Sequence, residues 1–139
     1  MESTPTPDDR EPPGELSPAL QAELSSNSEN PLVGTRLLLE DARTRVWEIR
    51  LAPGERLAFH RHVVDYVWTC VSGGLAISHD ATGTANRVPY EVGETRALSF
   101  GKGESMIHDL ENIGERDIVF TTVELLDSAN EPLPLAPAS

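Results

Sequence analysis

Cysteine is nearly absent from this chain, and long apolar runs are missing altogether. The single cysteine, Cys70, has no second cysteine to pair with, so no disulfide can form within the chain. One thiol also excludes a zinc site built mainly from thiolates, and it fits a reducing cytoplasm. No stretch approaches the roughly 18 apolar residues that a membrane-spanning helix needs. We therefore expect a protein that works in water.

Positive charge is scarce as well. The chain has 11 lysines and arginines against 23 acids, a net charge of −12, which argues against nucleic acid or an anionic membrane surface as a partner. Residues 1–30 hold seven acids and only one base, Arg10, so −6 of the −12 lies in this segment. The stretch Met1–Gly14 is acidic and proline-rich, whereas a secretory signal is basic and then apolar. We expect a cytoplasmic protein.

Composition divides the 139 residues into three parts around one domain. Residues 1–30 are predicted to be a disordered acidic tail with a possible short helix. Ser17 would cap this helix, Pro18 would begin it, and it would end at Glu23 or Leu24 and dock weakly or not at all. Residues 31–127 are predicted to form the folded domain, and residues 128–139 a flexible, proline-rich tail.

Between the tails the sequence has the pattern of β-strands almost throughout. Arg45–Leu51 alternates with period two, as a half-buried strand does. Short strand-like runs then follow one another with turns at about ten-residue spacing, which predicts an all-β sandwich or barrel. The further predicted strands are Leu57–Phe59, Val63–Val71, Leu75–Ser78, Val88–Val92, Glu94–Phe100, Ser105–Leu110 and Asp117–Leu126.

Two places in this pattern carry metal-binding chemistry. His60 and His62 stand two residues apart on a predicted strand, so both imidazoles point to one face and can reach one metal ion. Arg61 points to the other face. Such a pair also arises by chance on protein surfaces. On its own it indicates metal ligation less strongly than a structural role. His108 lies near a later strand end, where a lone histidine is normally structural.

Together the two places resemble the two motifs of the cupin superfamily. Gly54, five residues and then His60-Arg61-His62 match the beginning of the first motif, and His108 to Asn112 match the His-x-x-x-Asn end of the second. The resemblance covers roughly residues 32–126. It implies a jelly-roll β-barrel in which His60, His62 and His108 hold a divalent metal ion.

Two departures from the family pattern bear on the site. The family's glutamate ligand would fall at Tyr66 or Val67, and neither is a carboxylate. Asp65 is one residue early and faces away unless a bulge turns it inward; it is a candidate fourth ligand or an acceptor for an imidazole N–H. Tyr66 is a candidate hydrogen-bond partner for a metal-bound water or substrate, with a barrel-lining aromatic as the equally weighted alternative. The approach to His108 also differs from the family's second motif.

The resemblance leaves three classes of function open. Three-histidine cupins include dioxygenases that use ferrous iron, so Fe²⁺ is favoured, although Zn²⁺, Ni²⁺ and Mn²⁺ fit three imidazoles too. The first hypothesis is a dioxygenase-like enzyme acting on a small organic acid or carbonyl compound, with Tyr66 or Asp65 available for proton transfer. The second is a cupin that binds or senses a small molecule, and the third is a metal-free structural cupin.

A closer resemblance is to small bacterial single-domain cupins associated with β-alanine degradation. Val46–Glu55 is one of the stretches that carry it, and it identifies a family rather than a reaction. The family resemblance also favours a homodimer, since pairing would cover exposed sheet edges.

Other residues that carry chemistry are predicted to have ordinary roles. Trp68 and Cys70 share the face of Tyr66 by alternation and are expected to fill the barrel. His79 is expected to be exposed, and Arg96 is expected to form a surface salt bridge rather than meet a substrate.

Overall fold

The computed structural model describes residues 16–135, in which one short helix precedes nine strands. Helix α1 is Pro18–Ser26. The strands are β1 Arg36–Glu40, β2 Thr44–Leu51, β3 Arg56–His62, β4 Tyr66–Ser72, β5 Gly74–His79, β6 Ala85–Tyr90, β7 Thr95–Leu98, β8 Met106–Asn112 and β9 Ile118–Leu125.

The strands form two antiparallel sheets. One has the order β1-β2-β9-β4-β7 and the other the order β3-β8-β5-β6. This arrangement confirms the predicted all-β class and is that of a jelly roll, although the two sheets do not close into one continuous barrel. Strands distant in sequence are neighbours in both sheets, so β3 and β8, which carry the predicted ligands, pair directly.

The core lies between the sheets and follows from the alternation of the strands. In β2 every second side chain, including Trp47, Ile49 and Leu51, is buried. These side chains meet the inward side chains of β9, among them Phe120. Burying each large apolar side chain contributes about 1.5–3 kcal/mol. The central cluster comprises Ile49, Leu51, Leu57, Cys70, Ala76, Leu110, Ile118 and Phe120.

Strand β1 is not among the strands that the sequence pattern predicts. Its residues, Arg36–Glu40, form an edge strand beside β2, and all five are exposed. Three consecutive leucines between two charges have no period of two, because neither face of this edge strand is buried. A bulge between Leu37 and Leu39 breaks its register with β2.

Helix α1 begins as predicted and ends slightly later. The Ser17 hydroxyl accepts a hydrogen bond from the Leu20 N–H at 3.2 Å, and Pro18 occupies the first turn. No residue of the helix is buried, in keeping with weak docking. Glu23 nevertheless accepts two hydrogen bonds from Arg56 on β3, both at 2.7 Å, so a charged contact fastens the helix to the sheet.

The segment after β9 is hydrogen-bonded to the sheets where the structure describes it. The Leu133 carbonyl accepts a hydrogen bond from Arg45 at 2.9 Å, and the Asn130 amide donates to the Val63 carbonyl at 2.9 Å. The predicted tail boundaries at residues 30 and 128 stay predictions. The disorder predicted for the first 15 residues lies outside the described part of the chain.

Candidate metal centre

The pairing of β3 with β8 brings the three candidate histidines together. His60 lies directly opposite His108, and His62 follows on the same inward face. Ring centroids are 4.7 to 5.0 Å apart, and one ring nitrogen from each of the three residues lies within 4.8 Å of the others. The side chains of the three predicted ligands therefore point to one place between the sheets.

A β-bulge in β3 directs the side chains of His60 and His62 into the space between the sheets. Leu57 pairs with Leu110 and His60 with His108, so three steps along β3 match two steps along β8. Phe59 and His60 are consequently both buried although they are neighbours in sequence. Of these two, His60 lines the interior cavity. Phe59 has its carbonyl bonded to Asn30 in the N-terminal segment.

Asn112 fixes the ends of both histidine-bearing strands. Its buried side-chain amide donates to the Leu51 carbonyl at 2.8 Å and to the Arg116 carbonyl at 2.7 Å. Its backbone carbonyl accepts from the Gly54 N–H at 2.9 Å. Gly54 has φ of +85°, a conformation that side chains disfavour. The His-x-x-x-Asn spacing thus joins the turn before β3 to the end of β8.

Ring nitrogens of the three histidines face one another. His60 Nδ1 donates to the Ala58 carbonyl at 2.8 Å, which fixes the tautomer and leaves Nε2 with a free lone pair. The Nε2 atoms of His62 and His108 lie 3.1 Å apart. His62 Nδ1 is buried and has no hydrogen-bond partner among the described residues.

Burial keeps the imidazoles neutral. Loss of solvation lowers the pKa of His60 to about 4 and that of His108 to about 3. The pKa of His62 is also held well below its ordinary value by burial and, secondarily, by its neighbours His60 and His108. Three neutral imidazoles, each offering a ring nitrogen to one point, fit a borderline divalent metal ion.

A cavity of about 70 Å³ adjoins the histidines between the two sheets. Tyr66 stacks on His62 in its wall, with ring centroids 4.1 Å apart and planes inclined by 12°. Burial raises the pKa of the Tyr66 hydroxyl above its ordinary value. The sequence hypothesis that Tyr66 lies at the site is therefore consistent with its position.

The structure does not bring Asp65 to the histidines. The Asp65 carboxylate accepts a hydrogen bond from the Phe100 N–H at 2.9 Å. The group of convergent ligand atoms in the described chain contains His60, His62 and His108 and no carboxylate. Asp65 lies just before β4 begins, so no bulge in that strand turns its side chain inward.

The remaining predicted residues are not part of the metal-ligand group. His79 is only partly exposed, because its ring nitrogen contacts the Asp109 carboxylate at 3.1 Å. Arg96 forms an ion pair with Glu94 at 3.5 Å on the surface. Cys70 is buried in the core, and burial raises the pKa of its thiol, so it has the inert character predicted.

Sequence reasoning missed two buried carboxylates near the site, those of Asp109 and Glu124. Glu124 on β9 pairs in register with Tyr66 on β4, is only 4% exposed, and accepts a hydrogen bond from Trp47 Nε1 at 2.7 Å. Burial raises its pKa. The signal was present in the sequence, because Glu124 continues the alternation of Phe120 and Thr122 on the inner face of β9.

Comparison with solved structures places this architecture in a known class. The fold is similar to a cupin domain from Bordetella pertussis Tohama I, with a TM-score of 0.57 and 23% identity over 65% of this chain and 88% of that chain. It is similar to a conserved protein with a double-stranded β-helix domain from Klebsiella pneumoniae subsp. pneumoniae MGH 78578, with a TM-score of 0.51 and 24% identity over 64% and 68%. A cupin superfamily protein from Desulfitobacterium hafniense DCB-2 aligns with a TM-score of 0.50 and 14% identity over 66% and 75%.

The chain is therefore a two-sheet antiparallel jelly roll with three convergent histidines, and its fold is that of a cupin. No protein-family model and no curated protein matches the sequence. The narrower resemblance to cupins of β-alanine degradation stays a prediction. Among the described residues, no helix is long and apolar enough to cross a membrane.

Proposed function

We propose that this chain is a metal-dependent enzyme that acts on a small organic acid or carbonyl compound. One observation carries the proposal. Three imidazoles, with ligand nitrogens within 4.8 Å of one another, converge beside a cavity between the two sheets. A purely structural role would not require three neutral imidazoles to face each other without carboxylate partners, and a metal ion gives their lone pairs a common acceptor.

In this proposal His60, His62 and His108 hold the metal ion, and Fe²⁺ is the favoured metal. When bound there, ferrous iron would supply a Lewis acid and a redox partner for dioxygen. Zn²⁺, Ni²⁺ and Mn²⁺ remain alternatives that the donor set also fits. Three protein ligands leave coordination positions for a substrate, which is the arrangement of catalytic rather than structural metal sites.

The chain's own residues orient the substrate. The Tyr66 ring stacks on His62 in the cavity wall, and in this proposal its hydroxyl donates a hydrogen bond to a ligand in the cavity. The lining is largely apolar, which lowers the polarity around that position. Asp65 is left out of the proposal, because its carboxylate bonds the Phe100 N–H.

Metal analysis tests the ligand roles. We expect the protein, purified without chelator, to carry close to one divalent metal ion per chain, and His60→Ala to lose it. His79→Ala is the matched control, because His79 is outside the convergent group. It should keep the metal. Unchanged metal content in His60→Ala, with native circular dichroism, would contradict the proposed site.

Oxygen uptake tests the reaction class. Iron-loaded protein is mixed with a panel of short-chain carboxylates, ketones and diketones in an oxygen electrode. We expect consumption with at least one compound, which is lost in His60→Ala and reduced in Tyr66→Phe because that variant removes only the hydroxyl. Absence of uptake with metal-loaded protein across the panel would argue against an oxygenase.

The second candidate is a cupin that binds or senses a small molecule without turnover. It is favoured by the cavity lining, which among the described residues contains no aspartate, glutamate or lysine to act as a conventional acid or base. In that case a ligand would bind the metal-loaded protein and be recovered unchanged. Product analysis after prolonged incubation distinguishes the two functions.

A further inference from the structure

Among the described residues, the lining of the cavity contains no acidic or basic side chain except the three histidines, which burial keeps neutral. Its polar groups are the hydroxyls of Tyr66, Ser78, Tyr90 and Thr122. One of these is already engaged, since Ser78 donates to the Asp109 carbonyl at 2.7 Å. The rest of the wall is hydrocarbon or aromatic surface, contributed by residues such as Ile49, Leu57, Trp68, Leu110 and Phe120.

Three aromatic rings make part of this wall rigid. Trp68, Tyr90 and Phe120 contact one another edge to face, with centroids 4.9 to 5.5 Å apart and planes inclined by 83° to 88°. Each ring holds the other two, and such pairs are favourable beyond the area that they bury. The wall is therefore formed before a ligand arrives, which is typical of sites that select by shape and polarity.

The arginines on strands near the cavity form ion pairs with carboxylates of the protein. Arg45 contacts Glu40 at 2.8 Å, Arg56 contacts Asp109 at 2.8 Å, and Arg96 contacts Glu94 at 3.5 Å. Neither these three nor any other described lysine or arginine lines the cavity. A second carboxylate or a phosphate on a ligand would lie against this largely apolar wall without a counter-ion, which is unfavourable.

Building on the metal site proposed above, we propose that the cavity selects ligands with one metal-binding oxygen group and an apolar remainder. Short-chain monocarboxylates and ketones belong to this class, whereas dicarboxylates and phosphorylated compounds do not. The cavity of about 70 Å³ suits a small ligand of this kind. This narrows the proposed substrates from small organic acids in general to those with a single polar end.

A matched pair of probes tests the selection. Butyrate and succinate have the same number of carbon atoms and differ in whether the far end is a methyl group or a carboxylate. Each is titrated into Zn²⁺-loaded full-length protein by calorimetry, after the Zn²⁺ content of the sample has been measured. We expect butyrate to bind at least ten times more tightly than succinate, and we expect neither to bind to His60→Ala.

Two variants of one wall residue sharpen the test. Trp68→Arg places a cation in the apolar wall and should narrow or reverse the preference for butyrate. Trp68→Phe keeps the wall apolar and should preserve it. If Trp68→Arg fails to fold, the comparison of the two probes on the unmodified chain still decides the matter.

The outcomes separate this inference from the function on which it depends. Zn²⁺ uptake with equal or tighter binding of succinate would overturn the ligand class and leave the metal site standing. Zn²⁺ uptake with binding of neither probe would also overturn the ligand class alone. Absence of Zn²⁺ uptake would overturn the metal site and, with it, this inference.

Discussion

The Arg56 guanidinium joins two carboxylates that are themselves on different elements. It donates two hydrogen bonds to Glu23 on α1, both at 2.7 Å, and contacts Asp109 on β8 at 2.8 and 2.9 Å. Asp109 is fully buried. We predict that Arg56→Met destabilises the protein by about 3–5 kcal/mol, because removing one partner leaves a buried charge uncompensated.

The size of this destabilisation depends on the hydrogen bonds and the solvent contact that each carboxylate retains in Arg56→Met. Asp109 retains hydrogen bonds from the His79 N–H at 2.6 Å and from the His79 ring, which favours the lower end of the range. Glu23 has a side chain that is 27% exposed, so the loss of its pairing adds about 1 kcal/mol or less. A domain of this kind is stable by about 5–15 kcal/mol in total, so Arg56→Met should remain folded with clearly reduced stability.

Urea unfolding measures the difference. Trp47 is buried and Trp68 lines the cavity, so tryptophan fluorescence reports on the sheets. Glu23→Gln is the matched control, since it weakens one side of the network and leaves the contact between Arg56 and Asp109 intact. It should cost about 1 kcal/mol or less. A loss in Arg56→Met that equals the loss in the control would refute the reasoning.

Three further predictions concern pH, the buried carboxylate and the exposed edge. Arg56 lowers the pKa of Glu23 below its ordinary 4.5. The difference in unfolding free energy between the unmodified chain and Glu23→Gln should therefore be complete above about pH 4.5 and vanish as the pH falls through the lowered pKa. A pH-independent difference in urea titrations would contradict this. Trp47→Phe removes the hydrogen bond to Glu124 and should lower the unfolding free energy by about 1–3 kcal/mol, whereas a neutral effect in the same assay would mean that water replaces the indole. Antiparallel pairing of two Arg36–Glu40 edges sets leucines against leucines and arginine against glutamate, so we propose a homodimer through β1. Light scattering should show that Leu38→Lys halves the mass of the particle, and an unchanged dimer would exclude this interface.

The histidine positions could be predicted because their placement depends on local features. An i, i+2 pair on a strand shares a face whatever the partner strand is, so the common orientation of His60 and His62 needs no knowledge of the fold. The meeting with His108 is not local, and only the resemblance to two motifs in order suggested it. The hypothesis that a bulge brings Asp65 to the site as a ligand or a proton-transfer group is wrong, because its carboxylate accepts a hydrogen bond from the Phe100 N–H.

Other features could not be predicted because they depend on contacts between distant residues. The bulge before His60 appears only when β3 is matched against β8. The contact of Glu23 with Arg56 joins residues 33 positions apart, and the helix that carries it has no buried face to signal docking. Strand β1 is held by pairing with β2 rather than by its own pattern, so its leucines gave no periodic signal.

The extra residue in β3 separates the length of this strand from the direction of its histidines. Side chains alternate along a regular strand, so Leu57 and His60, three residues apart, could not both face the cavity without the bulge. Removing Ala58 would leave two steps along β3 opposite two steps along β8, and Leu57, His60 and His62 would keep the inward face in a regular strand. A chain with one residue fewer between Gly54 and His60 would therefore retain the same three-histidine arrangement. Among related chains, the histidines themselves are a better guide to the metal site than this spacing.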